Sequence, residues 1–522
     1  MKIVTSDEIR LIEEKCAQEG VSTDVLMEKA GLAVAQKARE FLGDVRGVPI
    51  LVLVGPGNNG ADGLVAARHL GDWGAEVTAC LTLPRRDDDP KRHLLQDSGI
   101  TPWLVEGDAG FSLLTGWLAK ARLVIDAILG TGTSRPIGGT LAEILTLLAN
   151  ERASRPMLSL MALDMPTGLD ADTGEADPHC PTPDVTVTLG YPKVGLFVFP
   201  GSAHVGRLDV VDIGIPPFLA EDVPQELITS EWVRGALPER PLDSHKGTFG
   251  RVLVIAGSAR YIGAAYLACE AAARVGAGLV TLAIPRSLQP ILAAKLTEAT
   301  YLPLPEEDGT LSPEASEVIL SEASSYQALL VGCGLGHGSD VVRLLRQTLF
   351  TSRYPGTPMV LDADALNIMS GIPEWWMGLG GETVVTPHPG EMSRLMGHSV
   401  GEINRNRLNA TRKSAVQWNK SVVLKGAYTV ISSPQGHVRI SQFVNPGLAS
   451  AGTGDVLAGA TAGLLAQGLS TFDAASCAVY LHGAAGEQVR LAMGDTGMVA
   501  SDLLPRLPLA IKRVREGDLH LD

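Results

Sequence analysis

Short, unbroken apolar runs alternate along this chain with longer stretches whose apolar residues recur every three or four positions. In the first such stretch, residues 7–42, Ile9, Ile12, Val25, Leu26, Ala30 and Val34 carry that spacing and predict helix. Ile50-Leu51-Val52-Leu53-Val54 then reads as a fully buried strand that ends in a glycine loop and leads to a helix over Leu64–Leu70. Val77–Leu83, Leu123-Val124-Ile125 and Met161-Ala162-Leu163 repeat the strand signal, and the last two stop at aspartates, Asp126 and Asp164. Strands apolar on both faces and separated by helical stretches predict a parallel sheet covered on both sides.

The rhythm breaks between Gly214 and Pro241, where proline and acidic residues accumulate, and this segment is read as an interdomain linker with some local structure. It restarts at Arg251–Ala256, followed by Gly257-Ser258 and an alanine-rich helix near Gly263–Val275. Leu279–Ala283, Ala328–Gly332, Met359–Leu361, Thr383–Val385 and Ser421–Leu424 supply further strands. A chain of 522 residues exceeds one ordinary core. Two α/β domains are expected, spanning residues 1–220 and 228–518.

Composition narrows the partners. Glycine is abundant (58 residues) and aromatics are only 5%, which suits small-residue helices lying close on a sheet. A net charge of −15 argues against nucleic acid or an anionic membrane as the main partner. It leaves room for a small phosphorylated ligand, because helix N-termini bind phosphate locally. The six cysteines lie far apart without a CxxC pair, so neither a zinc site nor a disulfide framework is expected, and a cytoplasmic location is. The first residues turn acidic where a secretory signal needs an apolar core, and no apolar run reaches the roughly 18 residues of a membrane span.

The candidate chemistry gathers at strand ends. Gly55-Pro56-Gly57-Asn58-Asn59-Gly60-Ala61-Asp62-Gly63 fits a dinucleotide glycine pattern, but the next strand ends Thr82-Leu83-Pro84, without the acid that would hold a ribose. Two asparagines and Asp62 exceed the needs of a turn. Asp126 and Asp164 close two neighbouring strands; each alone could be a cap, whereas the three loops together predict one crevice. In the second half, Gly452-Thr453-Gly454 opens an apolar helix with consecutive amides that can hold a transferring phosphate. Asp455 follows in the first turn, either as a general base or merely as a stabiliser of the helix dipole. His388 sits between two prolines, Asp362 and Asp364 follow a strand, and Lys425-Gly426-Ala427-Tyr428-Thr429 ends another. Gly332-Cys333-Gly334-Leu335-Gly336 is a further glycine loop, and Lys246 is a possible phosphate contact. No Walker loop and no protein-kinase motif set is present, so phosphoryl transfer belongs to another fold.

These residues carry a resemblance. SHKGTFGRVLVIAGS (244–258), LDADALN (361–367), TPHPGEM (386–392), VLKGAYTVI (423–431) and AGTGDVLAG (451–459) are similar to the ribokinase-like ADP/ATP-dependent NAD(P)H-hydrate dehydratases. GPGNNGADGLVAARHL (55–70), DAILGTG (126–132) and DMPTGLD (164–170) resemble the Rossmann-like, three-layer NAD(P)H-hydrate epimerases. Together, in this order, they resemble the bifunctional repair proteins that restore hydrated NADH and NADPH.

The resemblance implies roles. Asn58, Asn59, Gly60, Ala61, Asp62, Gly130, Thr131, Gly132, Thr133, Ser134, Arg135, Pro136 and Asp164 would hold the hydrate in the epimerase half, with Asp126 as acid/base. Asn59, Asp126 and Thr167 would bind potassium. In the dehydratase half Ala264, Gly334, His388 and Asp455 would line the hydrate site, Asp455 as the base. Lys425, Gly426, Ala427, Tyr428, Thr429 and Gly454 would bind ADP or ATP with Mg²⁺. A homo-oligomer is expected. Three positions depart from the usual motifs: Ala61 and Ala451 each replace a glycine, and Cys333 replaces a proline. The residues alone leave open an ordinary kinase in the second half and a non-catalytic binding module in the first.

Overall fold

The computed structural model describes residues 1–132 and 136–517, which form two compact units, Met1–Val223 and Pro224–Asp522. In the first, seven strands line up in the order β3-β2-β1-β4-β5-β6-β7. They are β1 (Pro49–Val54), β2 (Glu76–Leu81), β3 (Trp103–Leu104), β4 (Leu123–Ala127), β5 (Ser159–Leu163), β6 (Val185–Leu189) and β7 (Arg207–Val211). Every pairing is parallel. Val52 and Val54 point into a core shared with the helices Ser6–Gln18, Thr23–Leu42 and Asn58–Asp72. Leu51 and Leu53 face Leu114, Leu118 and Ile144 on the other side. The order of connection reverses between β1 and β4, so the loops that follow these strands diverge and leave a crevice at their carboxyl ends.

Two local expectations change. The helix expected over 7–42 is two helices, because Gly20 turns the chain at φ 85° and the Ser22 side chain caps the second one by accepting from the Val25 amide at 3.3 Å. The helix expected from Leu64 begins at Asn58, so the polar Asn-Asn-Gly-Ala-Asp stretch is its first turns rather than a loop.

The second unit is built on a ten-stranded sheet, ordered β11-β10-β9-β14-β15-β16-β17-β18-β19-β8. Its strands are β8 (Gln225–Leu227), β9 (Arg251–Ile255), β10 (Leu279–Pro285), β11 (Thr300–Leu304), β14 (Ala328–Val331), β15 (Met359–Leu361), β16 (Thr383–Val385), β17 (Ser421–Leu424), β18 (Val430–Ser432) and β19 (Val438–Ile440). A small ribbon of β12 (Glu306–Glu307) and β13 (Thr310–Leu311) stands apart. The run from β11 to β17 is parallel, β18 is antiparallel to both β17 and β19, and β8 pairs parallel with β19. The segment expected to be a linker therefore supplies an edge strand and the helix Ser230–Ala236. Leu227, Ile228 and Val233 bury themselves despite the prolines and acids around them.

The helix Thr453–Ala466 is apolar on nearly every side and lies against the helix Ile262–Arg274. Gly459 permits that closeness: a Cβ there would run into the Ala268 carbonyl oxygen. Gly459→Ala is expected to destabilise this unit by about 1–3 kcal/mol through overpacking. The check is a lower denaturation midpoint with an unchanged m-value. Gly263→Ala, on the facing helix with open space at its Cβ, should leave the midpoint unchanged or raise it.

Candidate active sites

At the carboxyl edge of the first sheet lies a cavity of about 540 Å³. Its walls include Asn58, Asn59 and Asp62 from the helix after β1, Gly130, Thr131 and Gly132 from the loop after β4, and Asp164 from the end of β5. The first two helices add Arg10, Glu13 and Met27. Gly60 lies against the Gly55 carbonyl instead, and the buried Ala61 lies about 100° around the helix from Asp62. Pro136 is exposed, and Thr133, Ser134 and Arg135 lie outside the described residues.

Asp126 and Thr167 stand behind the cavity wall. Both are 0% exposed. The Thr167 hydroxyl donates to Asp126 Oδ1 at 2.6 Å and the Thr167 amide to Oδ2 at 2.9 Å. The Ile128 amide donates to Oδ1 at 3.2 Å, and the Leu129 amide to Thr167 Oγ1 at 3.1 Å. Burial holds the Asp126 carboxyl above the ordinary range, and the bonds from Thr167 and Ile128 partly offset it. These contacts brace the loop that carries Gly130.

Asp164 turns left-handed, at φ 65°. Its carboxylate is paired with Lys193 and accepts from the Leu189 amide at 3.0 Å. Lys193 is 1% exposed and also donates to Thr188 Oγ1 and the Leu189 carbonyl, each at 3.2 Å. Asp62 has no such cation. Burial, with Asp164 and Glu13 nearby, pushes its carboxyl well above the usual range. Two groups at this site escaped the sequence reading. Lys193 was visible only as a lone cation between Pro192 and Val194, and Glu13 reaches the cavity from a helix distant in sequence.

In the second unit a continuous polar cluster crosses the ends of β14, β15, β16 and β17. Asp362, 1% exposed, accepts from Thr386 Oγ1 and from Lys425 Nζ, both at 2.7 Å. Lys425 also stands 3.9 Å from Glu391. Burial alone would lower the Lys425 ammonium, but the Asp362 and Glu391 carboxylates reverse this and hold it above the ordinary lysine value. Glu391 is pushed up to about 7, chiefly by burial. It accepts from the His388 amide at 2.8 Å, while His388 Nδ1 accepts from the Gly390 amide at 3.0 Å and so caps the helix Pro389–Met396. The His388 ring is half exposed and, lowered by burial and by Lys425, stays neutral.

Asp455 sits in the first turn of Thr453–Ala466, behind Gly452 at φ 90°. Its carboxyl rises to about 6, first through burial and then through the charge of Asp362; a hydrogen bond from Cys333 and the Lys425 charge pull it back. The Cys333 thiol is fully buried and held well above its ordinary value, so it remains the donor. Cys333 Sγ and carboxylate oxygens of Asp362 and Asp455 lie within 4.8 Å of one another. Gly454 is close enough that a Cβ would stand 3.3 Å from Lys425 Nζ. The Thr453 amide already donates to the Ser450 carbonyl at 3.4 Å. The Gly454 and Asp455 amides, with no carbonyl four residues back inside the helix, are left for an anion. Beneath the loop, His482 Nε2 donates to the Thr453 carbonyl at 3.0 Å.

Gly334 and Ala264 meet across the same edge, where a Cβ on Gly334 would stand 3.0 Å from that of Ala264. Arg407 braces the Lys425–Thr429 loop by donating to the Leu424 carbonyl at 2.9 Å and the Lys425 carbonyl at 3.1 Å. Gly426 and Ala427 of that loop are exposed, Tyr428 and Thr429 half-buried. Lys246 precedes the amino end of β9 and so lies away from this cluster. Sequence reading passed over Glu391, although it stands three residues after His388 in the same rigid loop.

Comparison with known proteins agrees with this division. Residues 252–509 match the family described as NAD(P)H-hydrate dehydratase, and residues 23–195 the one described as YjeF-related protein N-terminus. The bifunctional NAD(P)H-hydrate repair enzyme Nnr of Moorella thermoacetica is 41% identical over 99% of this chain and 98% of its own. Its namesake from Thermofilum pendens is 36% identical over 99% and 97%. The crystal structure of an ADP/ATP-dependent NAD(P)H-hydrate dehydratase from Bacillus subtilis, co-crystallised with ATP/Mg²⁺, is 33% identical. It covers 56% of this chain and 100% of its own, with a TM-score of 0.47. No helix among the described residues is long and apolar enough to cross a membrane. With a Rossmann-like unit followed by a ribokinase-like one, and relatives matched from end to end, the chain belongs to the bifunctional NAD(P)H-hydrate repair enzymes.

Proposed function

We infer that the two units act in turn on a nicotinamide nucleotide hydrated at C6 of its ring. The first interconverts the R and S hydrates. The second consumes the S form with ADP or ATP and restores NADH or NADPH. The observation that carries the second step is Asp455, a partly buried carboxylate with a pKa of about 6 in the first turn of an apolar helix, beside Lys425. Asp455 takes the proton of the C6 hydroxyl as that oxygen attacks the terminal phosphorus, and the bond to the departing nucleotide breaks. The Gly454 and Asp455 amides and the Lys425 ammonium face the charge that develops. The ring nitrogen's electron pair then expels phosphate from C6, and loss of a C5 proton completes the dihydronicotinamide. Mg²⁺ bound with the nucleotide supplies further neutralisation at the transferring phosphate. The Lys425–Thr429 loop, braced by Arg407, is the cradle for the nucleotide, and Ala264, Gly334 and His388 border the hydrate.

Potassium falls to Asn59, Asp126 and Thr167. An amide, a carboxylate and a hydroxyl form an all-oxygen set suited to a hard cation. The Asn59 side chain lies against Gly130, and its amide oxygen is the atom that would face the cation. A cation there would offset the buried charge of Asp126 and hold the Gly130 loop. Six free, buried cysteines suit a reducing cytoplasm. The exposed Trp103 and Leu104 on edge strand β3 favour a homo-oligomer.

Full-length protein given mixed-epimer hydrate and either nucleotide should consume all of it, releasing one phosphate for each dihydronicotinamide recovered by absorbance. A stable phosphorylated product would instead mean an ordinary kinase. Asp455→Asn should lower the dehydratase rate about 10²–10⁴-fold. In the unaltered enzyme that rate should fall as pH drops through about 6, where the base becomes protonated; a rate flat across that range would exclude Asp455 as the base. Lys425→Met strands the buried Asp362 carboxylate and should cost about 3–5 kcal/mol of stability. Lys425→Met with Asp362→Asn should recover most of that stability in denaturant titrations, but not the affinity for ADP in calorimetry.

A further inference from the structure

Asp62 borders the epimerase cavity with a buried carboxyl oxygen left over: among the described residues Oδ1 has no hydrogen-bond partner, although the residue is only 7% exposed. The charges around it come from four directions. Asp164 at the end of β5 and Glu13 from the first helix are acids. Lys193 and Lys91 are the cations, and both are committed elsewhere. The three hydrogens of Lys193 go to Asp164, Thr188 and the Leu189 carbonyl. Lys91, from the helix Pro90–Asp97, stands 2.7 Å from Asp24 and 3.8 Å from Glu28. An ionised Asp62 would thus be a desolvated charge facing two like charges, whereas a neutral one carries a proton at the cavity wall. Asp126 is also buried and raised, but it does not border the cavity, and both its oxygens accept from Thr167 or Ile128.

We propose that Asp62, not Asp126, is the general acid of epimerisation, delivering its proton to the C6 hydroxyl of the bound hydrate. This rests on the epimerase role of the first unit. The Asp62 proton passes to the hydroxyl oxygen, and the C6–O bond breaks so that water departs with its electron pair. The ring nitrogen's lone pair forms a C6=N1 bond. Water adds to the opposite face of C6 and the nitrogen recovers its pair. The added water gives up one proton to the cavity solvent and Asp62 regains one, so nothing is consumed.

The test uses full-length protein and purified R hydrate without nucleotide, following its conversion to S by chromatography. Asp62→Asn, shaped like the neutral acid but unable to give up a proton, should slow conversion about 10²-fold or to the uncatalysed floor. The same preparation should dehydrate S hydrate normally once ADP is added. Conversion within about threefold of the unaltered enzyme would overturn the proposal. The unaltered enzyme gives an independent reading: its R-to-S rate should fall with rising pH, at a pKa above the ordinary carboxylate value of about 4. A rate that instead rises with pH would mean that Asp62 works ionised, and would equally overturn it. Stability separates chemistry from folding. Because the folded pKa is raised, the stability that neutral Asp62 allows is present below the unfolded pKa and lost as pH climbs towards the folded one. Asp62→Asn should remove that loss and melt no lower than the unaltered protein at neutral pH; a clearly lower melting temperature would show an ionised, stabilising Asp62 and defeat the proposal.

Discussion

In each half of this chain a lysine is buried against an aspartate at the carboxyl edge of a sheet, Lys193 on Asp164 and Lys425 on Asp362. Neither charge could stay there alone, since removing one partner of a buried pair leaves the other desolvated and uncompensated. Each pair ties together loops far apart in sequence and holds backbone that would otherwise relax. Asp164 itself is left-handed, at φ 65°, and so is Ala363 beside Asp362, at φ 53°. Such conformations persist when surrounding contacts over-determine them.

The pairs also set the chemistry of their neighbours. A lysine spent on one carboxylate is less available to the next, so the second acid at each site moves upward. In the dehydratase half the Lys425 charge still reaches Asp455 and Glu391, which settle at about 6 and about 7, near the value at which a base works at neutral pH. In the epimerase half Lys193 bonds to Asp164, Thr188 and the Leu189 carbonyl, and burial pushes the Asp62 carboxyl well above the usual range.

Both acids proposed to react lie on helices that begin at a glycine loop. Asp62 belongs to Asn58–Asp72 and Asp455 to Thr453–Ala466. In the second case the close approach allowed by Gly459 holds the helix N-terminus at the site, and Gly452 supplies the left-handed turn that starts it. The packing of small residues and the placement of the free amides in the helix's first turn are one structural fact.

Much was legible in the sequence because it is local. Unbroken apolar runs such as Ile50–Val54 mark strands buried on both faces, and Gly-Thr-Gly-Asp before an apolar run marks a helix start with an acid in its first turn, since both patterns depend on neighbouring residues. Boundaries were less legible. A polar first turn hid the start of the helix at Asn58, and prolines hid the strand Gln225–Leu227, whose burial depends on a partner some two hundred residues away. The ion pairs were not legible at all. Lys193 is separated from Asp164 by 29 positions and Lys425 from Asp362 by 63. Sequence alone therefore determined the two α/β units, their glycine loops and the acids at their strand ends. Only the tertiary structure decided which acids are neutralised by a lysine and which are left to carry a proton, because desolvation and charge pairing depend on what surrounds a group in space.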